Sequence, residues 1–495
     1  MKLTTRTGIL ALGNLAFRLG QTLALIAVVR IVSPDAVGTY RQIWVIYNSV
    51  YVFFLLGLPG STYYHLAAMD PPRHRSFLRQ TAWLMAAAGA VCAVGLGLLS
   101  PALARWMNNP ELAPALIGFV PYVFFSNAQA YAYAALVVYK RVKLAAGLNV
   151  VNSLGQLVLT VLVLWYRHSM PEAFLAIGVL AGASFIVSTL IVWRIAPPGA
   201  ARWSERRLRE QFGYSVPLSL ADATTSLQVQ IDKLVASIKY LPAQFSTYSL
   251  GAVPLPFITV VRSSIFSVLL SEIPALHKSG DVDRIARIWQ ETVRKTALLF
   301  YPLLAICLIS AGPLMSVLYT SAFQEAAIPF RVYLLTLVLM IFPSSSVVLA
   351  LGLSWFQFWS NLLGLIANAT MGVFLARLEL VGPAIAAVVA QTGVLAIQLG
   401  RISRELGIPL PRLLALRPQL PIMASAALAA LASAPLALLG WGRALTLCVQ
   451  VVTFGACYLL IAWRGRVLTA TDYEQIRDIL RSLKPRAAAG EQTTP

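Results

Sequence analysis

The stretch that decides the fold runs from Tyr214 to Tyr248 and reads YSVPLSLADATTSLQVQIDKLVASIKYLPAQFSTY. It is long enough to cross a bilayer as a helix, because about 20 residues suffice. It nevertheless carries Asp222, Asp232 and Lys233. A charge at the centre of a lipid-exposed helix costs about 2.5 to 3.5 kcal/mol on insertion scales, so we expect this helix to turn its charges toward a cavity or a partner.

The composition of the chain indicates a membrane protein. Of its 495 residues 58% are hydrophobic and 12% are charged, and the mean hydropathy is +0.73, whereas soluble domains contain about 25% charged residues. Apolar runs recur between short polar connectors, which favours helices over a β-barrel. The first run continues to Val32, which is too long for the apolar region of a signal peptide.

We therefore expect an all-α polytopic fold with about fourteen transmembrane helices. The first set of spans lies near residues 8–32, 38–66, 80–104, 114–138, 144–165 and 172–194. A second set lies near residues 212–238, 244–271, 293–319, 329–351, 355–376 and 382–400, and an appended pair near 419–440 and 443–463.

These spans divide the chain into five regions. They are an N-terminal six-helix bundle (1–195), a basic cytoplasmic connector (196–211), a C-terminal six-helix bundle (212–401), the appended helix pair (402–464) and a cytoplasmic tail with a short amphipathic helix (465–495). No connector is long enough for a soluble domain of about 50 residues, so catalysis outside the membrane is not expected.

The basic residues set the orientation. Lys and Arg outnumber Asp and Glu by 39 to 19, and they concentrate in alternate connectors such as Arg73–Arg79 and Lys140–Lys143. Such connectors stay in the cytoplasm, which places both termini there. Sorting by membrane side also argues against nucleic-acid binding, which requires one continuous basic patch.

The sequence offers no metal, cofactor or nucleotide site. The cysteines lie in apolar spans without a C-x-x-C motif: Cys92, Cys307, Cys448 and Cys457. There is no G-x-x-x-x-G-K-[ST] motif. Energy must then come from coupling to protons or sodium, from the membrane potential, or from consumption of the cargo.

An internal repeat relates the two bundles. A shift of 208 residues lays Pro34 on Pro242 and the pair Thr39-Tyr40 on Thr247-Tyr248. Six spans separate the copies, so the halves should run parallel around an axis along the membrane normal, with the cavity between them.

Polar side chains on the first span define the candidate site. Asn14, Arg18 and Gln21 share one helix face, and Arg18 lies near the membrane midplane. Asp222 and Arg262 reach a similar depth. Asp222 either pairs with Arg18 or Arg262 to hold two helices together, or belongs to a wet, net basic lumen for an anionic cargo.

Further candidates lie toward the outer mouth. Arg41 and Lys233 add positive charge there, and arginine suits phosphate oxygens through its planar fork. Asp232 and Lys233 could also form an interfacial pair with Lys233 reaching outward. We therefore assign Arg18, Arg262, Asn14, Gln21, Arg41 and Lys233 to substrate binding, and Asp222 and Asp232 to ion coupling or an intramembrane ion pair.

The sequence resembles the polysaccharide and oligosaccharide-lipid flippases, the Wzx-type branch of the MOP/MATE-like superfamily that also contains multidrug exporters. The matching pieces are N-x-x-x-R (Asn14, Arg18), RIVSPDAVGTY, Gly57-Leu58 closing the second span, V-P-L-S-L…I-D-K-L-V (Val216–Val235) and Tyr248.

This resemblance implies two six-helix bundles around a V-shaped central cavity. It implies transport by alternating access of an undecaprenyl-diphosphate-linked oligosaccharide repeat unit, for O-antigen, capsule or exopolysaccharide, from the cytoplasmic to the periplasmic leaflet of a bacterial inner membrane. Arg18, Arg262 and Arg41 would meet the diphosphate or acidic sugars. The implied partners are the lipid-linked oligosaccharide, membrane lipids, and the polysaccharide polymerase with its chain-length machinery.

Two other functions stay open. A cation-coupled multidrug exporter would need Asp222 but not Arg18. A membrane glycosyltransferase or polymerase would need catalytic groups on large outer loops, and the outer connectors here are short.

Overall fold

The computed structural model describes residues 3–199, 205–253, 256–439, 441–465 and 467. Throughout these ranges the secondary structure is helical, with no strand. The N-terminal half comprises α1 (Leu3–Ile31), α2 (Pro34–Leu55), α3 (Leu58–Ala68), α4 (His74–Trp106), α5 (Leu112–Ala128), α6 (Ala130–Val138), α7 (Val142–Arg167) and α8 (Met170–Ile195).

The C-terminal half comprises α9 (Glu205–Lys239), α10 (Pro242–Gly251), α11 (Pro256–Ser279), α12 (Val282–Ile309), α13 (Ala311–Tyr319), α14 (Ala327–Leu334), α15 (Thr336–Met340), α16 (Ser344–Ala350), α17 (Ser354–Leu375) and α18 (Gly382–Leu406). The remaining α-helices are α19 (Leu410–Leu414), α20 (Leu416–Ser433) and α21 (Arg443–Arg464). Short 3-10 helices lie at Pro71–Arg73, Ser321–Ala326, Ala376–Val381 and Ala434–Leu439.

Ten helical stretches within the described residues are long and apolar enough to cross a membrane. Many of their side chains are apolar yet exposed, such as Leu98 (77%) and Leu431 (70%), as expected for a surface that faces lipid. The all-α polytopic fold is therefore confirmed, and the count of fourteen spans stays a prediction. Helix α9 is not among the ten, because polar residues interrupt its apolar sequence.

The second predicted span is interrupted by a backbone break. Leu56 (φ 51°) and Gly57 (φ 64°) adopt left-handed conformations, which glycine accepts without strain. A Cβ on Gly57 would lie 2.3 Å from the carbonyl oxygen of Ser215 in α9. The motif predicts that Gly57-Leu58 closes the second span. In the structure these residues instead divide the span into α2 and α3, at the point where α9 packs closely.

Two boundaries differ from the predicted ones. Helix α9 begins at Glu205, inside the predicted connector. Gln211 is buried in this part of α9, where its Nε2 donates to Ser61 Oγ and Thr81 Oγ1, both at 3.0 Å. Helix α18 continues to Leu406, beyond the predicted end of its bundle. The amphipathic helix predicted in the tail lies outside the described residues.

The two halves meet where α2 packs against α9 and α10. Helices α2 and α10 both start with a proline after an extended residue. The Ala243 N–H donates to Asp35 Oδ1 (3.2 Å), and Arg41 Nε donates to Ser249 Oγ (3.2 Å). Each pair is 208 residues apart. A two-fold axis brings equivalent residues face to face, so these contacts lie where the predicted repeat would place its axis.

Close packing at this interface makes Gly38 sensitive to substitution. A Cβ there would lie 2.2 Å from the carbonyl oxygen of Pro242, and backbone atoms give way only if the helices separate. We expect Gly38→Ala to destabilise the protein by about 1 to 3 kcal/mol, the usual range for overpacking. Thermal unfolding in detergent measures this change.

Gly95→Ala is the matched control, because its Cβ would meet no atom within 4 Å. Alanine is favoured over glycine in a helix interior by about 1 kcal/mol, so the control should be neutral or stabilising. Equal melting temperatures for the two variants would contradict the close interface.

Candidate functional site

A cavity of about 200 Å³, the N-terminal cavity, is formed mainly by α1, α2, α7 and α8. Helix α1 contributes Arg18 and Gln21, one turn apart on the same face. Helix α2 contributes Arg41 and Trp44, which share a face for the same reason. Val253 of the C-terminal half also lines it, so this cavity borders the junction of the halves.

The lining of the N-terminal cavity is positively charged. Among the described residues that line it, Arg18 and Arg41 are charged and the others are neutral, with no Asp or Glu. Arg18 is exposed, and its guanidinium donates no hydrogen bond to the described part of the chain. Arg41 is half-buried and donates to the side chain and carbonyl oxygens of Ser249 (3.2 and 3.3 Å). Within the described residues, therefore, no protein group competes with a ligand for the guanidinium of Arg18.

An aromatic wall fixes the α2 side of this cavity. Tyr40 stacks on Phe174 of α8 with ring centroids 5.6 Å apart. Trp44 packs edge-on against Phe119 of α5 at 5.4 Å. These ring contacts fix α2 against α5 and α8. Arg41, which lies between Tyr40 and Trp44 in the sequence, therefore starts from a fixed point on α2.

A second cavity, the C-terminal cavity, has a volume of about 380 Å³ and lies among α9, α11, α16, α17 and α18. Arg262 is the charged residue of its described lining and is exposed. Most of its polar lining is neutral: Gln228, Gln357, Asn361, Gln391 and Gln398. Arg18 and Arg262, which the sequence places at one depth, thus line separate cavities.

Asp232 and Lys233 form a buried ion pair, exposed by 1% and 3%. Lys233 Nζ lies 3.3 Å from Asp232 Oδ2, and it also donates to Val229 O (3.0 Å) and Tyr333 Oη (3.2 Å). Tyr248 Oη donates to Asp232 Oδ2 (2.9 Å). The pair therefore joins α9, α10 and α14, and Lys233 does not reach outward as an interfacial lysine would.

Two candidates fall outside the described side chains. Asn14 and Asp222 lie in α1 and α9, and only their backbone is described. The pairing of Asp222 with Arg18 or Arg262 stays a prediction. The described residues contain no group of three or more His, Cys, Asp or Glu that could hold a metal ion.

Sequence reasoning missed the neutral side chains of the C-terminal cavity. The sequence pattern that predicts these side chains on one helix face is their helical spacing. Gln357 and Asn361 are i and i+4 on α17, and Gln391 and Gln398 are i and i+7 on α18. The site residues predicted from the sequence are mostly charged residues of the membrane segments. Amides at helical spacing indicate the face that lines a cavity in the same way.

Three solved structures that share this fold are described as a flippase or as transporters. The lipid II flippase MurJ, in an inward-closed conformation, matches with a TM-score of 0.70 and 13% identity over 97% of this chain and 99% of that one. An inward-facing multidrug resistance MATE family transporter of the MOP superfamily matches with a TM-score of 0.61 and 14% identity over 82% and 100%. A MOP superfamily transporter from Pyrococcus furiosus reaches 0.54 and 15% over 81% and 96%. At these identities the likeness establishes the fold.

A search of the curated proteins finds no match. A family model described as polysaccharide biosynthesis protein matches residues 27–328, which is more than half of the chain. Arg41, Asp232, Lys233 and Arg262 lie within that range. The family description names polysaccharide biosynthesis, and the fold is one that a lipid II flippase and a multidrug transporter share. The chain belongs to the polysaccharide biosynthesis protein family.

Proposed function

We propose that this protein is a flippase for an undecaprenyl-diphosphate-linked oligosaccharide repeat unit of O-antigen, capsule or exopolysaccharide. It moves the headgroup from the cytoplasmic to the periplasmic leaflet of a bacterial inner membrane, with both termini in the cytoplasm. The observation that carries this proposal is the N-terminal cavity, where the described lining contains the charged residues Arg18 and Arg41 and no carboxylate.

The chemistry of that cavity suits a diphosphate. A guanidinium offers several donors in a planar fork, and its hydrogen bonds to phosphate are charge-assisted. The same charges repel a cationic drug. The lipid tail stays in the bilayer, so the cavity has to accommodate the headgroup alone.

Arg41 links cargo binding to opening of the halves. It lines the N-terminal cavity and also bonds to Ser249 across the junction. A phosphate that takes over its donors removes this contact with α10. Further polar contacts between the halves would also have to be released during alternating access. They include the Ala243 N–H on Asp35, Arg30 on Val317 O (2.6 Å) and Asn108 on Ile238 O (3.3 Å).

The second candidate function is a cation-coupled multidrug exporter, favoured by the match to a multidrug resistance MATE transporter. That function needs an acidic group in the drug path, for which Asp222 is the candidate. Asp232 is engaged by Lys233 and Tyr248, which leaves it less suited to bind an external cation. Coupling of the flippase to a proton or sodium gradient is part of the proposal.

Depletion of the protein in its own cells tests the proposal. We expect lipid-linked repeat units to accumulate in the cytoplasmic leaflet, where a membrane-impermeant glycan-oxidising reagent does not reach them in intact spheroplasts. Sensitivity to cationic dyes should stay unchanged. Normal surface polysaccharide together with increased dye sensitivity would support the exporter instead.

A further inference from the structure

The two cavities are built at corresponding places but carry different chemistry. The N-terminal cavity is lined by α1, α2, α7 and α8, which are the first, second, fifth and sixth segments of their half. The C-terminal cavity is lined by α9, α11, α17 and α18, which occupy the same places in theirs, with α16 added. The first is lined by two arginines, and the second holds one, Arg262, together with many amides and hydroxyls.

Two amides of the C-terminal cavity are available to a ligand. Gln228 on α9 and Gln391 on α18 line it and are half-buried. Neither side chain makes a hydrogen bond to any residue that the structure describes. An amide offers both donors and an acceptor, so in a partly dry cavity these groups need a partner that is also both.

The other amides of this cavity form its rigid wall. Gln398 Oε1 accepts from Ser344 Oγ (2.7 Å), and its Nε2 donates to Gln357 Oε1 (3.2 Å) and Ser360 Oγ (3.2 Å). Gln398 is exposed by 1%. This network ties α16, α17 and α18 together behind Gln228 and Gln391, so the site is preorganised rather than assembled by a ligand.

We propose that the C-terminal cavity is a saccharide site, in which Gln228 and Gln391 bind sugar hydroxyls of the cargo while the N-terminal cavity holds the diphosphate. This inference rests on the proposed function. A hydroxyl donates and accepts, as an amide does, and it carries no charge that must be desolvated. Phe266, Phe342 and Phe358 supply apolar lining for the ring carbons. The volume of about 380 Å³ falls in the range of roughly 300 to 1,000 Å³ found for small-ligand sites.

The test uses two lipids and purified full-length protein in detergent. One is the lipid-linked repeat unit extracted from the cells that make this protein, and the other is undecaprenyl diphosphate without sugar. Native mass spectrometry gives the affinity for each. We expect wild type to bind the first more tightly, and Gln228→Leu/Gln391→Leu to lose roughly ten-fold for that lipid and nothing for the second.

Two variants serve as comparisons. Arg18→Gln should weaken both lipids, because both carry the diphosphate. Gln324→Leu, an exposed glutamine outside both cavities, should weaken neither.

The outcomes separate the two proposals. If wild type binds neither lipid, the flippase proposal fails. If wild type binds both lipids equally, or the double variant loses as much for the sugar-free lipid as for the repeat unit, the saccharide site fails while the diphosphate site stands. If the double variant unfolds at a lower temperature than wild type, the smaller change Gln391→Ala is tested in its place. It should likewise lower the affinity for the repeat unit and not the affinity for the sugar-free lipid.

Discussion

Arg18→Gln is expected to lower transport of the lipid-linked repeat unit by roughly ten- to one-hundred-fold at low cargo concentration. Arg18 lines the N-terminal cavity with a guanidinium that is exposed and unbonded within the described residues. Its hydrogen bonds to a phosphate would be charge-assisted and worth about 1.5 to 3 kcal/mol. Each 1.4 kcal/mol is about a factor of ten in affinity, which gives the expected range.

Arg18→Lys should fall between wild type and Arg18→Gln, because lysine keeps the charge but not the planar fork. The matched control is Arg105→Gln at the end of α4, where Arg105 is exposed and bonds to Pro101 O in its own helix (3.4 Å). Its transport should equal that of wild type. Initial rates in proteoliposomes supply the comparison, and full activity of Arg18→Gln would remove the cationic cavity from the mechanism.

The second large effect concerns stability. Lys233→Met leaves the Asp232 carboxylate buried with only Tyr248 among the partners described above, and loss of one member of a buried pair costs about 3 to 5 kcal/mol. Asp232→Asn should cost a similar amount, because it leaves a buried ammonium. The double variant should be much more stable than the sum of the two losses predicts.

A double-mutant cycle by thermal unfolding in detergent measures this coupling. The exposed pair Arg167–Glu172 is the control, with Nε and Oε2 2.8 Å apart and the side chains exposed by 67% and 44%. Glu172→Gln should leave the melting temperature almost unchanged, since solvent screens such a pair. Additive losses at Asp232 and Lys233 would show that the two charges do not depend on each other.

How much the sequence predicts depends on whether a property is local to one helix. The shared face of Arg18 and Gln21 follows from helical periodicity, and the structure places both on one cavity. Depth in the membrane is equally local, and it places Arg18 and Arg262 at a similar level. The rotation of α11 relative to α1 depends on packing between halves, which no local pattern encodes, so Arg262 lines a different cavity.

Long-range partners explain the remaining differences. Lys233 donates a hydrogen bond to Tyr333, which lies 100 residues away in the sequence. Asp232 accepts a hydrogen bond from Tyr248, across the turn into α10. A charged pair near the end of a span is consistent with an interfacial position until those partners are known. The break at Gly57 likewise depends on the approach of Ser215 from α9, although a glycine within a span is a signal for such contact.

The central claim is that the sign of the N-terminal cavity selects an anionic headgroup. Translocation in proteoliposomes of one fluorescent oligosaccharide, carried either by undecaprenyl diphosphate or by an uncharged polyprenyl ether, tests it most directly. We expect transport of the diphosphate lipid, loss of that transport in Arg18→Gln, and little transport of the neutral lipid. Equal transport of both lipids, or export of a cationic dye in their place, would contradict it.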